Sequence, residues 1–313
     1  MPVTAEDVTF VARLVDELCG VVLDDSKGYL VESRLGQLAR EAGCPSYRDL
    51  CDKARRESDR LLQQKIIDAI TTQETLFFRD DSPFEALRHR VLPDLIDART
   101  RNGSPRRLRL WSAACSTGQE PYSLAIVLHE MLPDLRTWDV NILATDISDA
   151  AVAQASRGHY ANHEVRRGMP PASLPKYFHQ EPNGWRVKDE LRVLVAFRRL
   201  NLVDSLAALG PFDVVFCRNV AIYFDTETRK NVFSRIAERL APNGYLLVGS
   251  SESLTDLASH FEAQQHCRCV FYRPRRRGPA ALRTIDAARP APPQTQPASS
   301  PPRSTIALAA ARR

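Results

Sequence analysis

The sequence has few features of a membrane-spanning or exported protein. Its 313 residues contain no apolar run near the ~18 residues of a membrane span, and the start, Met-Pro-Val-Thr-Ala-Glu-Asp, lacks the pattern of a signal peptide. Seven cysteines, an odd number without regular spacing, fit a reducing compartment better than a disulfide framework. We therefore expect a cytoplasmic protein without direct membrane insertion.

Metal-binding patterns are also scarce. The zinc spacing C-x-x-C is absent, and only Cys267 and Cys269 beside His266 come close to a ligand cluster. The alternation that continues into Val270, Phe271 and Tyr272 favours a plain strand there. We expect no metal site.

The folded part of the chain lacks a positive surplus, although the formal net charge is +5. From residue 275 onward there are eight arginines and one acid, a surplus of seven, so residues 1–274 sum to 5 − 7 = −2. A nucleic-acid-binding protein carries its positive charge on the folded domain, so we expect no nucleic-acid partner. Residues 275–313 are rich in Arg, Ala, Pro and Ser without apolar periodicity, which predicts a disordered tail.

Residues 1–70 read as an all-α domain. Apolar residues recur at helical spacing in three stretches, and Gly20 and Gly43 follow two of them as stop signals. Pro45 and Ser46 open a further helix between the second and the last of these stretches. The second helix carries Lys27, Arg34 and Arg40, which form either a solvated surface or a docking surface for an acidic partner.

Residues 71–95 connect this domain to the rest of the chain. They consist of a polar segment with two phenylalanines, followed by a helix that begins at Pro83. That segment is either a hinge plugged between domains or a cover over a ligand cleft.

Residues 96–274 alternate between strand and helix, which predicts an α/β fold with a mostly parallel sheet. We predict strands at 107–113, 138–146, 196–202, 212–218, 244–250 and 267–273, and helices at 119–132, 148–157, 227–240 and 253–262. Between about 160 and 196 the alternation breaks, with strand-like 185–187 and 191–195, which indicates a small inserted β-subdomain.

The stretch 110–123 reads as strand, small-residue turn and helix, the unit that begins many nucleotide-binding sheets. It lacks the G-x-G-x-x-G spacing, so by itself it is a weak signal. Asp146 ends the next strand, where it can bind ribose hydroxyls or cap the following helix. Because the first turn is in register with it, we favour the ribose role. Asn201, Asn219 and Tyr223 follow later strands and are placed to face the same crevice. The alternatives are a helix start for Asn219 and a cover over the sheet edge for Tyr223.

Six motifs occur in order along the chain. They are Thr-Thr-x-x-Thr-x-Phe-Phe-Arg (71–79), Trp-Ser-Ala-Ala-Cys-Ser-Thr-Gly-Gln-Glu-Pro-Tyr-Ser (111–123), Ala-Thr-Asp-Ile-Ser (144–148), Asn-Leu (201–202), Phe-Cys-Arg-Asn-Val-x-Ile-Tyr-Phe (216–224) and Ser-Glu-Ser-Leu (251–254). From about residue 5 to 273 the chain closely resembles the chemotaxis receptor methyltransferases of the CheR family. That resemblance implies an all-α domain followed by a Rossmann-like, S-adenosylmethionine-dependent methyltransferase domain. It also implies methyl transfer to receptor glutamates, with S-adenosylhomocysteine as the other product.

The resemblance also implies site residues, matched motif by motif. The cofactor contacts would be Gln73, Thr75, Arg79, Glu120, Asp146, Asn201, Leu202, Asn219 and Val220. Arg79 and Tyr223 would lie near the transferred methyl group and the substrate carboxylate. Arg34 and Arg40 would dock the cytoplasmic helical region of the receptor. Apart from the resemblance, we expect the protein to be a monomer.

The chain departs from the family pattern at several positions. Gln73 stands where Asn is usual, and Gln119 where Glu is usual, which puts the orientation of the turn before Glu120 in doubt. Ser250-Ser251-Glu252 replaces the commoner Gly-His-Ser-Glu. The 178–191 loop is short beside members that tether to a receptor pentapeptide, so we expect tether-independent action.

Two rival functions are open to a chain of this pattern. A nucleic-acid N-methyltransferase would carry an Asn/Asp-Pro-Pro-Tyr-type segment after the 212–218 strand, where this chain has Arg-Asn-Val-Ala. A signalling module that binds the cofactor without catalysis is the second rival, and the near-complete set of site residues argues against it.

Overall fold

The computed structural model describes residues 3–24, 27–56, 59–132 and 134–275 of the chain. Four helices come first, as the periodicity predicted: α1 (Ala5–Cys19), α2 (Gly28–Glu41), α3 (Tyr47–Arg56) and α4 (Arg60–Ile70). Thr4 and Asp7 close a capping box at the start of α1, and Gly20 ends the helix in the left-handed conformation at φ 71°. We call α1–α4 the helical unit. The apolar faces of these helices enclose a core of their own.

Residues 71–80 cross from the helical unit to the rest of the fold, and we call them the strap. Two helical segments, α5 (Ser82–Ala86) and α6 (Leu92–Arg101), follow the strap and are joined by a π-helical turn at Leu87–Val91. The further helices are α7 (Gln119–Met131), α8 (Asp149–Arg157), α9 (Asn162–Arg166), α10 (Leu174–Tyr177), α11 (Asp189–Arg192) and α12 (Thr226–Arg239).

The α/β part is built on one twisted main sheet and one small sheet. In chain order the strands are β1 (Arg107–Ala113), β2 (Asp139–Asp146), β3 (His159–Tyr160), β4 (Phe178–Glu181), β5 (Gly184–Val187), β6 (Val195–Arg199), β7 (Phe212–Cys217), β8 (Leu240–Leu247), β9 (Phe261–His266) and β10 (Cys269–Pro274). Over the described residues the main sheet has the order β6-β2-β1-β7-β8-β10-β9. Its first five strands are parallel, and the β9–β10 hairpin adds an antiparallel edge.

This strand order places the ligand crevice. The chain moves outward from β1 to β2 and β6, then returns to the other side of β1 at β7. Ligands of open α/β sheets bind outside the carboxyl ends of the strands where the order reverses, here β1 and β7. Apolar residues cover both faces of the sheet, so this crevice stands on a rigid base.

The small sheet has the order β3-β5-β4 and falls within the predicted insertion. Its hairpin turns through Pro182 and Asn183, between the end of β4 and the start of β5. The strand-like reading of 191–195 was wrong for its first part, because α11 occupies Asp189–Arg192 and β6 starts only at Val195. The predicted strand 196–202 also ends early, at Arg199, and Asn201 and Leu202 lie in the turn beyond it.

The helix predicted at 253–262 was wrong. A short 3-10 turn at Thr255–Leu257 and the strand β9 stand there instead. Cys267 and Arg268 turn the chain with φ values of 48° and 59°, which lets β9 pair with β10 along its length. Pairing at the sheet edge overrides a local helical pattern in this way, because strand formation depends on its neighbours.

The predicted tail falls outside the described residues from 276 onward. Within the part of the chain that is described, no helix is long and apolar enough to cross a membrane.

Candidate functional site

A cavity of about 380 Å³ opens at the carboxyl ends of β1, β2 and β7. The strap, the turn after β1 and the helical unit form its other walls. Every cofactor contact that the sequence predicted lines it: Gln73, Thr75, Arg79, Glu120, Asp146, Asn201, Leu202, Asn219 and Val220. Tyr223 and Arg34 line it as well, so one space collects motifs that are far apart in the sequence.

The turn between β1 and α7 has an unusual backbone. Ala114 and Ser116 have φ values of 60° and 50°, and Gly118 reaches 96°. Left-handed conformation costs a non-glycine residue about 1–2 kcal/mol, and such strain concentrates at functional sites. A Cβ at Gly118 would lie 2.7 Å from Ala155 Cβ and 2.9 Å from the Tyr160 hydroxyl, so this position requires glycine. Gly118 packs against α8 and Tyr160, while Ala114, Cys115 and Ser116 of the same turn line the cavity.

Asp146 joins the ends of β1 and β2. Its Oδ2 accepts a hydrogen bond from Ser116 N at 2.8 Å, and its Oδ1 accepts one from Ser148 N at 2.9 Å. Burial raises the pKa of this carboxyl above its ordinary value, although the two amide donors act in the opposite direction. Ser148, and not Asp146, caps α8, because its hydroxyl accepts from Ala151 N. Each Asp146 oxygen keeps a lone pair for a ligand hydroxyl.

Glu120 is held by two buried partners. Ser112 Oγ donates to Glu120 Oε1 at 2.7 Å, and Arg218 Nη1 lies 3.0 Å from Glu120 Oε2. Arg218 continues to the strap, where its Nη2 donates to Arg79 O at 2.7 Å and to Asp80 Oδ2 at 2.9 Å. The Arg218 side chain is 1% exposed, and its Nε has no hydrogen-bond partner among the residues that the structure describes.

The strap is fastened along its whole length. Phe77 is fully buried and contacts the rings of Tyr160 and Phe178 edge-on, and Phe78 N donates to Ser123 Oγ at 3.0 Å. A Cβ at Gly168 would overlap the Phe77 carbonyl oxygen, so the inserted subdomain also contacts the strap. The sequence left two roles open for the strap, and the structure shows both. Phe77 anchors it in the core, and its other residues form a wall of the cavity.

Gln73 connects the strap to the turn after β1. Its Oε1 accepts from Ser116 Oγ at 2.9 Å, and its Nε2 donates to Thr71 Oγ1 at 3.1 Å. The longer amide thus still reaches the cavity wall. Gln119 is buried away from the cavity lining and accepts from Thr117 Oγ1 at 2.8 Å. A neutral side chain suits that place, because a second buried carboxylate beside Glu120 would be costly to desolvate.

The helical unit contacts the sheet at residues that also line the cavity. Asn201 Nδ2 donates to Leu18 O at 2.9 Å, and Val22 N donates to Tyr223 O at 2.8 Å. Ile147, the residue after Asp146, packs against the core of the helical unit, and its carbonyl accepts from Gln64. The helical unit therefore forms one wall of the site.

Glu252 organises the turn after β7. Its Oε2 accepts from Asn219 N at 2.8 Å and Gly249 N at 2.7 Å, and its Oε1 accepts from Ala221 N at 2.9 Å. Asn219 is held at φ 56° there. Three amide donors on one carboxylate fix the segment that carries Asn219 and Val220 into the cavity.

The two predicted docking arginines are separated. Arg34 Nη1 donates to Ile70 O at 3.0 Å and to Thr71 O at 3.3 Å, where the strap begins. Arg40 is exposed and does not line the cavity. The basic surface expected on α2 is thus divided between the cavity wall and the outside.

Sequence reasoning gave no role to Arg218, Glu252 or the wall supplied by the helical unit. Arg218 and Glu252 both stand inside motifs that mark the family, but their partners are 98 and 33 residues away in the chain. Composition and periodicity carry no signal for such pairs.

Two family models together match most of the chain. Residues 6–71 match the CheR methyltransferase all-alpha domain, and residues 73–269 match the CheR methyltransferase SAM binding domain. The chain belongs to the CheR methyltransferase family. It is 44% identical over 264 residues to chemotaxis protein methyltransferase 1 of Pseudomonas aeruginosa. The alignment covers 83% of this chain and 94% of that protein. It is 41% identical over 259 residues to the chemotaxis protein methyltransferase of Vibrio parahaemolyticus, covering 80% and 90%.

The cofactor of this CheR methyltransferase is S-adenosylmethionine. The cavity fits that molecule in size, since pockets for ligands of its class measure ~300–1,000 Å³. The spare lone pairs of Asp146 match ribose hydroxyls, and Glu120 offers a carboxylate to the ammonium group of the methionine part. Ile147, Leu200 and Leu202 add an apolar wall for a planar ring.

Proposed function

We propose that this chain transfers a methyl group from S-adenosylmethionine to glutamate side-chain carboxylates of chemotaxis receptors. The product is a methyl ester, and the output is sensory adaptation. One observation carries the proposal: Arg79 and Tyr223 line the same cavity as every predicted cofactor contact. The names of the relatives, chemotaxis protein methyltransferases, support the substrate class.

The chemistry demands little of the protein beyond alignment. The bound cofactor supplies a methyl group made electrophilic by its sulfonium charge. A glutamate carboxylate is ionised at neutral pH and is already a nucleophile, so no strong general base is needed. The chain must hold the carboxylate oxygen in line with the methyl group and exclude water. Asp146 binds the ribose, and Glu120 binds the methionine part, with both carboxylates oriented by the hydrogen bonds described above.

Arg79 and Tyr223 are proposed to orient the substrate carboxylate. Arg79 Nη1 donates to Glu74 O at 3.0 Å, which leaves its other nitrogens for a charged hydrogen bond to the carboxylate. Tyr223 is partly exposed at the cavity mouth, where its hydroxyl can donate to the same group. A carboxylate held too tightly becomes a weaker nucleophile, so Arg79 mainly positions.

The partner is the cytoplasmic helical region of a receptor, and the protein works in the cytoplasm as a monomer. Its seven cysteines are all unpaired, which agrees with a reducing compartment. The two-residue turn of the inserted β4–β5 hairpin, Pro182 and Asn183, supports action without a receptor tether. Docking through Arg40 and Arg34 remains part of this proposal, with Arg40 as the exposed member.

The test uses S-adenosylmethionine labelled in its methyl group and membranes that contain receptors. We expect label in the receptor that is released by base as volatile methanol, the behaviour of a glutamyl methyl ester. Receptors in which the accepting glutamates are replaced by alanine serve as the matched control and should take up no label. Label that is stable to base, or no label despite tight cofactor binding, would contradict the proposal.

A further inference from the structure

Exposed apolar side chains gather at the mouth of the cavity. Seven large apolar residues are exposed among the residues that the structure describes. Four of them, Val22, Tyr29, Ile222 and Tyr223, are 39–64% exposed, and we call them the apolar rim. Val22, Tyr29 and Tyr223 line the cavity, and Ile222 precedes Tyr223 in the same 3-10 turn. Single exposed apolar residues are normal, whereas a cluster around an opening marks a binding surface.

The rim is built from both sides of the site. The helical unit contributes Tyr29 at the start of α2, and Val22 belongs to the segment between α1 and α2. The turn after β7 contributes Ile222 and Tyr223. Backbone pairing of Val21 with Phe224, beside the Val22 N to Tyr223 O bond, joins the two halves.

A close contact next to Val21 also holds the two halves of the rim together. A Cβ at Gly20, just before Val21, would lie 2.8 Å from Val203 Cγ1, so α1 ends tightly against the sheet part. The part of the rim formed by Val22, Ile222 and Tyr223 is therefore preorganised, and little ordering of it is required when a partner binds.

Charges near the rim favour an acidic ligand. Lys27, Arg34 and Arg79 line the cavity, and of the acids in its lining Glu120 is already paired with Arg218. Glu74 lies 3.5 Å from Arg167, and Asp146 is buried at the far wall beside Ser116. Among the described residues of the lining, three cations but only one acid, Asp146, are without an ion-pair partner, so a carboxylate that enters past the rim meets a surplus of positive charge.

We propose that the apolar rim binds apolar side chains that flank the accepting glutamate on one face of an amphipathic helix. The rim thereby selects which glutamates reach the cavity. On a helix, residues three and four positions from the glutamate share its face, so one surface presents both the carboxylate and its apolar neighbours. This inference rests on the proposed function, since it assigns the acceptor to a receptor helix.

The test compares rim variants with equally exposed apolar residues elsewhere. In the full chain, Ile222→Ser and Tyr29→Ser should each raise the KM for receptor membranes about tenfold, since each removes a buried apolar contact in the complex. For Ile222→Ser, which does not line the cavity, the dissociation constant for the cofactor by calorimetry should stay within about twofold. Leu61→Ser and Val193→Ser, 67% and 77% exposed in the native protein and away from the cavity, are the controls with unchanged KM.

A second measurement keeps the inference independent of turnover. A helical peptide with a glutamate flanked by leucines at i−4 and i+3 should bind the wild-type protein about tenfold more tightly by fluorescence anisotropy than its serine-flanked counterpart. Equal binding of the two peptides, or an unchanged receptor KM for Ile222→Ser, would overturn the inference and leave receptor methylation standing. A protein dimer that Ile222→Ser dissociates would also overturn it. Failure of the wild type to label any receptor would instead contradict the proposed function, and the peptide result would still decide the rim.

Discussion

Arg218 Nη1 lies 3.0 Å from Glu120 Oε2, and Arg218 Nη2 lies 2.9 Å from Asp80 Oδ2. One buried guanidinium therefore joins the start of α7 to the strap. Asp80 follows Arg79, whose carbonyl accepts from the same Nη2. Glu120, the proposed cofactor contact, and the backbone of Arg79, proposed to orient the substrate, are thus held by the same guanidinium. Disturbing it should affect both stability and catalysis.

Arg218→Ala should lower the free energy of unfolding by about 3–5 kcal/mol, because it leaves Glu120 buried without its cation. Arg55→Ala is the matched control: Arg55 Nε also lies 3.0 Å from a carboxylate, that of Glu17, but the pair is solvent-exposed. That change should cost less than about 1 kcal/mol. Denaturant titration of both variants measures the difference, and equal losses would contradict the role assigned to burial.

Gly168→Ala should destabilise the protein by about 2–4 kcal/mol, since a left-handed alanine would also overlap the Phe77 carbonyl oxygen. Gly43 is the control, because at φ +70° it has open space around its Cβ position. Gly43→Ala should cost only about 1–2 kcal/mol. Denaturation midpoints separate the two cases. If the two variants unfolded alike, the strap would not be held by the inserted subdomain.

Asp146 should make cofactor binding depend on pH. Its folded pKa is raised above 3.8, so the folded state holds the proton more tightly than the unfolded state. This contribution to stability is present at low pH and is lost as pH rises from 3.8 through the raised folded pKa. Cofactor affinity should increase over that same window, because ribose hydroxyls donate to the ionised carboxylate.

The measurement is a calorimetric titration of the cofactor across this window in wild type and in Asp146→Asn. The variant should bind about 10–100-fold more weakly at neutral pH and lose this pH dependence. Parallel profiles for the two proteins would assign the titration to another group.

Glu252→Gln should reduce kcat/KM about 10–100-fold, because a side-chain amide cannot accept from all three amides that meet the carboxylate. The loss should appear in both cofactor affinity and kcat, since the turn carries Asn219, Val220 and Tyr223. Glu252→Asp keeps the charge and should recover part of the activity. Glu262→Gln, at an exposed glutamate of β9, is the control and should behave as wild type. Wild-type kinetics for Glu252→Gln would show that the turn holds without it.

Arg79→Ala should lower kcat about 10–100-fold with a smaller effect on the dissociation constant for the cofactor, if the guanidinium orients the substrate carboxylate as proposed. Arg167→Ala is a suitable control, since Arg167 is a nearby exposed arginine that pairs with Glu74 on the same strap. Single-turnover methylation at saturating cofactor and receptor gives kcat directly. Full turnover by Arg79→Ala under those conditions would rule out the orienting role.

The sequence by itself determined the class of the fold and most of the cavity wall. Period-3.6 patterns with stop signals such as Gly20 predicted α1–α4, and strand–helix alternation predicted the parallel sheet. Asp146 was placed at the crevice because it ends a strand of such a sheet, whereas Glu120 was implied by the family resemblance of its motif. These are local properties, and local sequence carries them.

Only the tertiary structure decided the conformations and roles of residues whose partners are far away in the sequence. The helix predicted at 253–262 is replaced by a 3-10 turn at Thr255–Leu257 and by the start of β9, which pairs with β10. Arg34 turns inward to the carbonyls of Ile70 and Thr71. Arg218 and Glu252 take their roles from residues brought together by the strand crossover. The apolar rim exists only because Val22 meets Tyr223 across 201 residues of chain. Hydrogen bonds and ion pairs form only between atoms a few ångströms apart. The number of residues between two positions in the sequence does not show whether the fold brings them that close.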